Sequence, residues 1–181
     1  MESKVIAVSS SKEHAFSKEN QEYINLSKGI GVEGDAHAGK TVQHLFLVKK
    51  DSSRPNIRQV HLIQAELFSE LSEEGFSVGP GQLGENITTE GIDLLNLPVG
   101  SKLHIGESAV VELTALRNPC HQIDDFQKGL LNTVVSKDEH GKTVRKVGVM
   151  GIVLFGGKVK SNDNIKISLP DEPHKSLEYV W

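Results

Sequence analysis

Short apolar segments rich in Val, Ile and Leu recur along this chain between turns rich in glycine, and only one stretch carries a clear helical stripe. VIAVSS (5–10), EYINLSKGI (22–30), VQHLFLV (42–48), RQVHLI (58–63), SKLHIG (101–106), AVVELTAL (109–116), KVGVMGIVLFGG (146–157) and KVKSNDNIKISL (158–169) are the apolar segments. AVVELTAL and NIKISL alternate partly with period two, as half-buried antiparallel strands do. VQHLFLV reads equally as a strand or a helix of two turns. In QAELFSELSEEG (64–75), Leu67, Phe68 and Leu71 fall at helical spacing and Gly75 provides a stop. GPGQLGENITTEGIDLLNLPVG (79–100) reads as a region of turns. Many short strands and few helices predict a mainly β fold, an all-β barrel or sandwich with a few short helices, rather than alternating βαβ units.

With 181 residues the chain closes one sizeable core, so a single domain over 1–181 is expected, with the aromatic tail PHKSLEYVW folded back on it. A formal net charge of −4 makes nucleic acid an unexpected partner. The start, MESKVIAVSSSKEH, lacks the apolar core of a secretion signal, and no run of about 20 apolar residues offers a membrane span, so a cytoplasmic protein with no membrane partner is expected.

GDAHAGKT (34–41) satisfies the spacing of a phosphate-cradling loop, G-x-x-x-x-G-K-T. Such a loop follows a strand and opens a helix, so that free N–H groups face the phosphates. Here Glu33 and Asp35 would repel phosphate. The glycines read instead as turn residues, and Asp35 and His37, two apart, point the same way in an extended segment.

One cysteine, Cys120, excludes an internal disulfide and any metal site that needs several thiolates. In ELTALRNPCHQIDDF (112–126) an apolar strand ends at Leu116. Asn118 suits an N-cap and Pro119 the first helical position, which places Cys120 at the start of a helix, beside Arg117. There the helix dipole and the guanidinium lower a thiol pKa and make the thiolate reactive. The bland alternative is a small buried hydrophobe. A zinc site from Asp35, His37, His61 and Cys120 lacks compact ligand spacing. A lone thiolate can still carry a sulfane sulfur or ligate a soft metal held within a cofactor.

At these residues the chain resembles the MOSC family, named for the C-terminal domain of molybdenum-cofactor sulfurase, and especially its small stand-alone members. The matching pieces are GVEGDAH (31–37), RQVHLI followed by Glu66 (58–66), GENITTEGIDLLNLPVG (84–100) and RNPC (117–120), in the family's order over roughly residues 25–168. Ile57 stands where the family often has histidine. The resemblance implies a strand-rich barrel that binds the molybdenum cofactor (molybdopterin). Cys120 is then the catalytic residue, as sulfur carrier or molybdenum ligand. Arg117 and Arg58 meet the cofactor's phosphate or pterin carbonyls, Glu85 and Asn86 the pterin edge, and Asp35 and His37 the opposite wall. Each of these polar side chains also has a structural reading as a cap, a turn or a buried hydrogen-bond partner. A reductase of N-hydroxylated compounds needs an electron-transfer partner, because the chain has no iron–sulfur cysteine cluster and no convincing flavin or nicotinamide motif. A sulfur carrier needs a cysteine desulfurase. A non-catalytic binding module for a pterin or another anionic small molecule is the remaining alternative.

Overall fold

The computed structural model describes residues 2–180. Its elements, in chain order, are β1 (Lys4–Ser10), β2 (Glu19–Gln21), β3 (Tyr23–Ser27), β4 (Gly31–Val32), α1 (Leu45–Lys50), β5 (Val60–Gln64), α2 (Glu66–Glu73), β6 (Ile87–Glu90), β7 (Lys102–Ile105), β8 (Ala109–Leu116), α3 (Gln122–Phe126), α4 (Leu130–Val134), β9 (Val135–Lys137), β10 (Thr143–Arg145), β11 (Val149–Phe155), β12 (Gly157–Lys160) and β13 (Ile165–Ser168). The mainly β expectation with a few short helices is met.

The barrel is not. The large sheet has eight strands in the order β13-β7-β8-β11-β5-β6-β1-β2, so it ends on two different edges, and three-stranded β12-β3-β4 and two-stranded β10-β9 stand apart from it. A single bridge from Lys4 to Asn164 brings β1 near the start of β13, but no ladder joins the edges, and the sheet stays open. Closure is decided by strand pairs distant in sequence, which a run of short apolar segments does not specify.

All pairings in the large sheet are antiparallel except β5 with β6. Those two are joined through α2, as a parallel pair requires a crossover. β5 is buried on both faces. Leu62 packs with Val5, Ile87, Leu103, Val111 and Val149 in the main core, while its neighbour Ile63 packs with Leu67, Leu71, Ile123, Leu130 and Val134 beneath the helices. This follows from the alternation of side chains along a strand.

Of the two readings of VQHLFLV the helix holds for its second half: Leu45–Lys50 form α1, which buries only Leu47 and leaves Leu45, Phe46 and Val48 exposed. The helix expected to begin at Pro119, capped by Asn118, begins at Gln122, with His121 as its cap, and it is split from α4 by Gly129 at φ 91°. The tail from Lys175 to Glu178 lies against the domain: Leu116 N–H donates to the Glu178 carbonyl at 2.9 Å, the Val99 N–H donates to the Lys175 carbonyl at 2.9 Å, and Leu177 is buried; Trp181, the second of the tail's aromatics, lies outside the described residues.

Candidate functional site

The register of four adjacent strands sets the site. Leu116 at the end of β8 is opposite Val149 of β11, Val149 is opposite Leu62 of β5, and Leu62 is opposite Ile87 of β6. Residues that flank this row, namely Arg117, Met150, His61 and Asn86, therefore converge. Together with the 35–56 loop and α1 they enclose a cavity of about 410 Å³. The close approach needs glycine at its seams: at Gly148, with φ 87°, a Cβ would run into the Leu62 carbonyl, and at Gly84, with φ 85°, it would lie 2.6 Å from the Phe16 carbonyl.

Cys120, half-buried, lines this cavity with Arg117, Asn118 and Arg58. The thiol makes one long contact, 3.5 Å to Gln122 Oε1. Because the helix starts two residues later, Cys120 does not sit on a helix terminus; its carbonyl instead accepts the Ile123 N–H at 3.1 Å in the preceding turn. Arg117 donates its main-chain N–H to the Gly148 carbonyl at 2.9 Å, but its Nη1 is buried with no hydrogen-bond partner. Burial pushes the Arg117 pKa down, opposed by the charges of Cys120 and Glu85 and assisted by Arg58. Arg58 donates through Nη2 to the Val180 carbonyl of the tail.

The facing wall is a polar knot centred on Asp35. Its Oδ2 accepts from Lys18 Nζ at 2.8 Å, Asn86 Nδ2 at 3.1 Å and Ser11 N–H at 3.2 Å. Its Oδ1 accepts from His37 N–H at 2.9 Å and lies 3.3 Å from His37 Nδ1. Burial would raise the Asp35 pKa, but the hydrogen bonds from His37 and the Lys18 charge outweigh it and hold the carboxyl well below the usual range. Burial lowers the Lys18 pKa against the pull of Asp35. Asn86 also bonds the Ser9 carbonyl and receives the His61 N–H, so it ties β1 to β5. His61 donates Nε2–H to the Val147 carbonyl at 2.8 Å, and burial pushes its pKa down to about 3.

Of the residues singled out from the sequence, Cys120, Arg117, Arg58, Asn86 and His37 line one cavity. Asp35 stands just behind its wall. Glu85 does not reach it: the carboxylate turns into its own loop, where Oε1 accepts from Gly81 N–H at 2.5 Å and Thr88 Oγ1 at 3.1 Å, and burial raises its pKa. Lys18 is the residue the sequence does not disclose. It lies in a polar stretch with no motif of its own, yet its side chain is 4% exposed and lines the cavity. Phe16, Val42, Phe46, Leu47 and Met150 supply the apolar walls.

The phosphate-loop spacing at 34–41 is not a phosphate cradle. The amides of Asp35, Ala36, His37, Ala38 and Gly39 donate to the Val32 carbonyl, the Ser11 carbonyl, Asp35 Oδ1, the Asp35 carbonyl and the Ile30 carbonyl respectively. A cradle needs those N–H groups free. Nor, among the described residues, do three or more His, Cys, Asp or Glu side chains gather as a metal site.

The fold is open and mainly β, and one half-buried thiol lines a cavity together with the side chains of Arg58, Arg117 and Lys18. Residues 35–166 match the model of the MOSC domain, and the chain belongs to that family. Crystal structures of several proteins share the fold, three of them as follows. The YUAD protein from Bacillus subtilis has 20% identity and a TM-score of 0.72 over 94% of this chain and 98% of its own. YiiM from Geobacillus stearothermophilus has 15% identity and a TM-score of 0.67 over 97% of this chain and 80% of its own. YiiM from Escherichia coli has 19% identity and a TM-score of 0.64 over 97% of this chain and 73% of its own. No curated protein matches the sequence. No helix among the described residues is long and apolar enough to cross a membrane.

Proposed function

We propose that this MOSC protein binds the molybdenum cofactor in the Cys120 cavity and reduces N-hydroxylated small molecules there, with electrons from a separate redox protein. The observation that carries the reading is the buried, unpartnered Nη1 of Arg117 in the wall of a cavity that also holds Cys120, Lys18 and Arg58. A buried guanidinium N–H without an acceptor costs free energy, and an anionic ligand removes that cost. The residues fit the cofactor on three counts. The cavity has the size of a small-molecule site. A rigid guanidinium fork suits phosphate or pterin carbonyls. A thiolate suits a soft metal. When bound, the cofactor would supply the two-electron chemistry of molybdenum. Arg117 and Arg58 would hold its negative charge, Cys120 would offer the protein's single ligand, and the apolar side chains of Phe16, Phe46 and Met150 would exclude water.

The test is metal and pterin analysis of protein made in a host that synthesises the cofactor. Wild type is expected to carry molybdenum and pterin, and Cys120→Ala to lose most of the metal. Wild type free of both overturns the reading. A persulfide on Cys120 after exposure to a cysteine desulfurase, without bound metal, would favour the sulfur-carrier role. Retention of pterin by Cys120→Ala without turnover in either protein would favour a binding module.

A further inference from the structure

Reduction of an N-hydroxylated compound, R–NH–OH + 2 e⁻ + 2 H⁺ → R–NH₂ + H₂O, breaks an N–O bond whose oxygen departs only as it gains a proton. The cavity therefore needs a proton donor, and its titratable groups differ in fitness for that task. Lys18 is tied to Asp35 at 2.8 Å, and Arg58 and Arg117 keep their protons. His61 holds its Nε2 proton on the Val147 carbonyl, and its low pKa keeps it neutral. His121 projects outward with a side chain 86% exposed, near Asp125. His44 makes no ring hydrogen bond as the cap of α1; desolvation, then the charges of His37, Arg58, Arg117 and His14, oppose its protonation. Cys120 is assigned to the metal.

His37 alone is both oriented and open. Its Nδ1 lies 3.3 Å from Asp35 Oδ1, in a carboxylate with a side chain 2% exposed, and its main-chain N–H bonds the same oxygen at 2.9 Å. The ring of His14, itself held by Nε2 against the Gln43 carbonyl, closes on it edge-on at 5.0 Å. Nδ1 is thus committed to Asp35, while Nε2 has no hydrogen-bond partner among the described residues and belongs to a ring that lines the cavity. A carboxylate-oriented imidazole with a free Nε2 is the arrangement of a general acid and base.

We propose that His37 is the proton donor of this site. It rests on the reductase reading given above. The Nε2–H of the imidazolium passes its proton to the hydroxyl oxygen as the N–O bond breaks, water leaves, and the ring takes up a proton again from solvent, to which it is 28% exposed. The second proton reaches nitrogen from solvent, and both electrons come from an external donor such as a reduced flavoprotein.

The test has two arms. In cofactor-free protein, ¹⁵N spectra of the His37 ring, assigned through His37→Gln, are expected to show the neutral form protonated on Nδ1, the reverse of free histidine; protonation on Nε2 overturns the proposal. In loaded protein driven by reduced methyl viologen, His37→Gln is expected to lower kcat by roughly 100-fold. KM and molybdenum content should not change. Turnover of an N-hydroxylated base that survives His37→Gln with kcat unchanged sinks this inference alone. No turnover by loaded wild type sinks it together with the reductase reading.

Discussion

The GVEGDAH loop and the RNPC turn face each other across one cavity, and both bury charge. They differ in how that charge is treated. Asp35 is surrounded: an ammonium, an amide, an imidazole and two main-chain N–H groups reach its two oxygens. Arg117 is half-buried as a residue, yet its Nη1 is buried and has no acceptor. A satisfied buried charge is part of what holds β1, the loop and β6 together, while a buried donor with no acceptor costs free energy for as long as it stays unpaired. Burial and perturbed pKa, which the two share, do not separate structure from binding here; the count of hydrogen-bond partners does.

That contrast is open to attack by mutation. Asp35→Ala strands the Lys18 ammonium in the interior and is expected to lower stability by about 3–5 kcal/mol, measured by urea unfolding at neutral pH. A smaller effect, about 2 kcal/mol, is expected from His61. Its pKa falls from the ordinary 6.5 to about 3 on folding. The unfolded chain therefore binds this proton at pH values where the native one does not. His61 contributes its full stability above about pH 6.5 and loses it as pH falls toward 3. Between about pH 6.5 and 4.5 wild type should lose about 2 kcal/mol that His61→Gln does not lose, a window above the range in which Asp35 protonates. The smallest effect has the opposite sign. Arg117→Met removes an orphaned cation and should leave the cofactor-free protein unchanged or more stable by about 1 kcal/mol, while abolishing pterin retention. If Arg117→Met instead destabilises as much as Asp35→Ala, the two sides of the cavity do not differ as described.

Much of the sheet is legible because strands such as β1, β5, β8 and β11 carry their apolar residues locally. β6 is not: Ile87-Thr88-Thr89-Glu90 lies among glycines and turns, and it becomes a strand because β1 and β5, both distant in sequence, receive it. The same non-local pairing leaves the sheet open where a barrel was expected. In the site, Cys120, Arg117 and His37 are visible because motifs hold them. Lys18 is hidden, since its only distinguishing feature is Asp35, 17 residues away in the chain. Glu85 is visible for the same motif reason yet faces its own turn, because spacing along a loop does not say which of two neighbouring side chains points inward.

The open sheet leaves two borders where another chain could add a strand. Both are poor templates. β2 is only Glu19-Asn20-Gln21, exposed and polar throughout, and β13 spans four residues, its exposed Ile167 flanked by exposed Lys166 and Ser168. Short, polar or lysine-bearing borders discourage intermolecular ladders, so concentrated solutions should resist fibril formation although the sheet never meets itself.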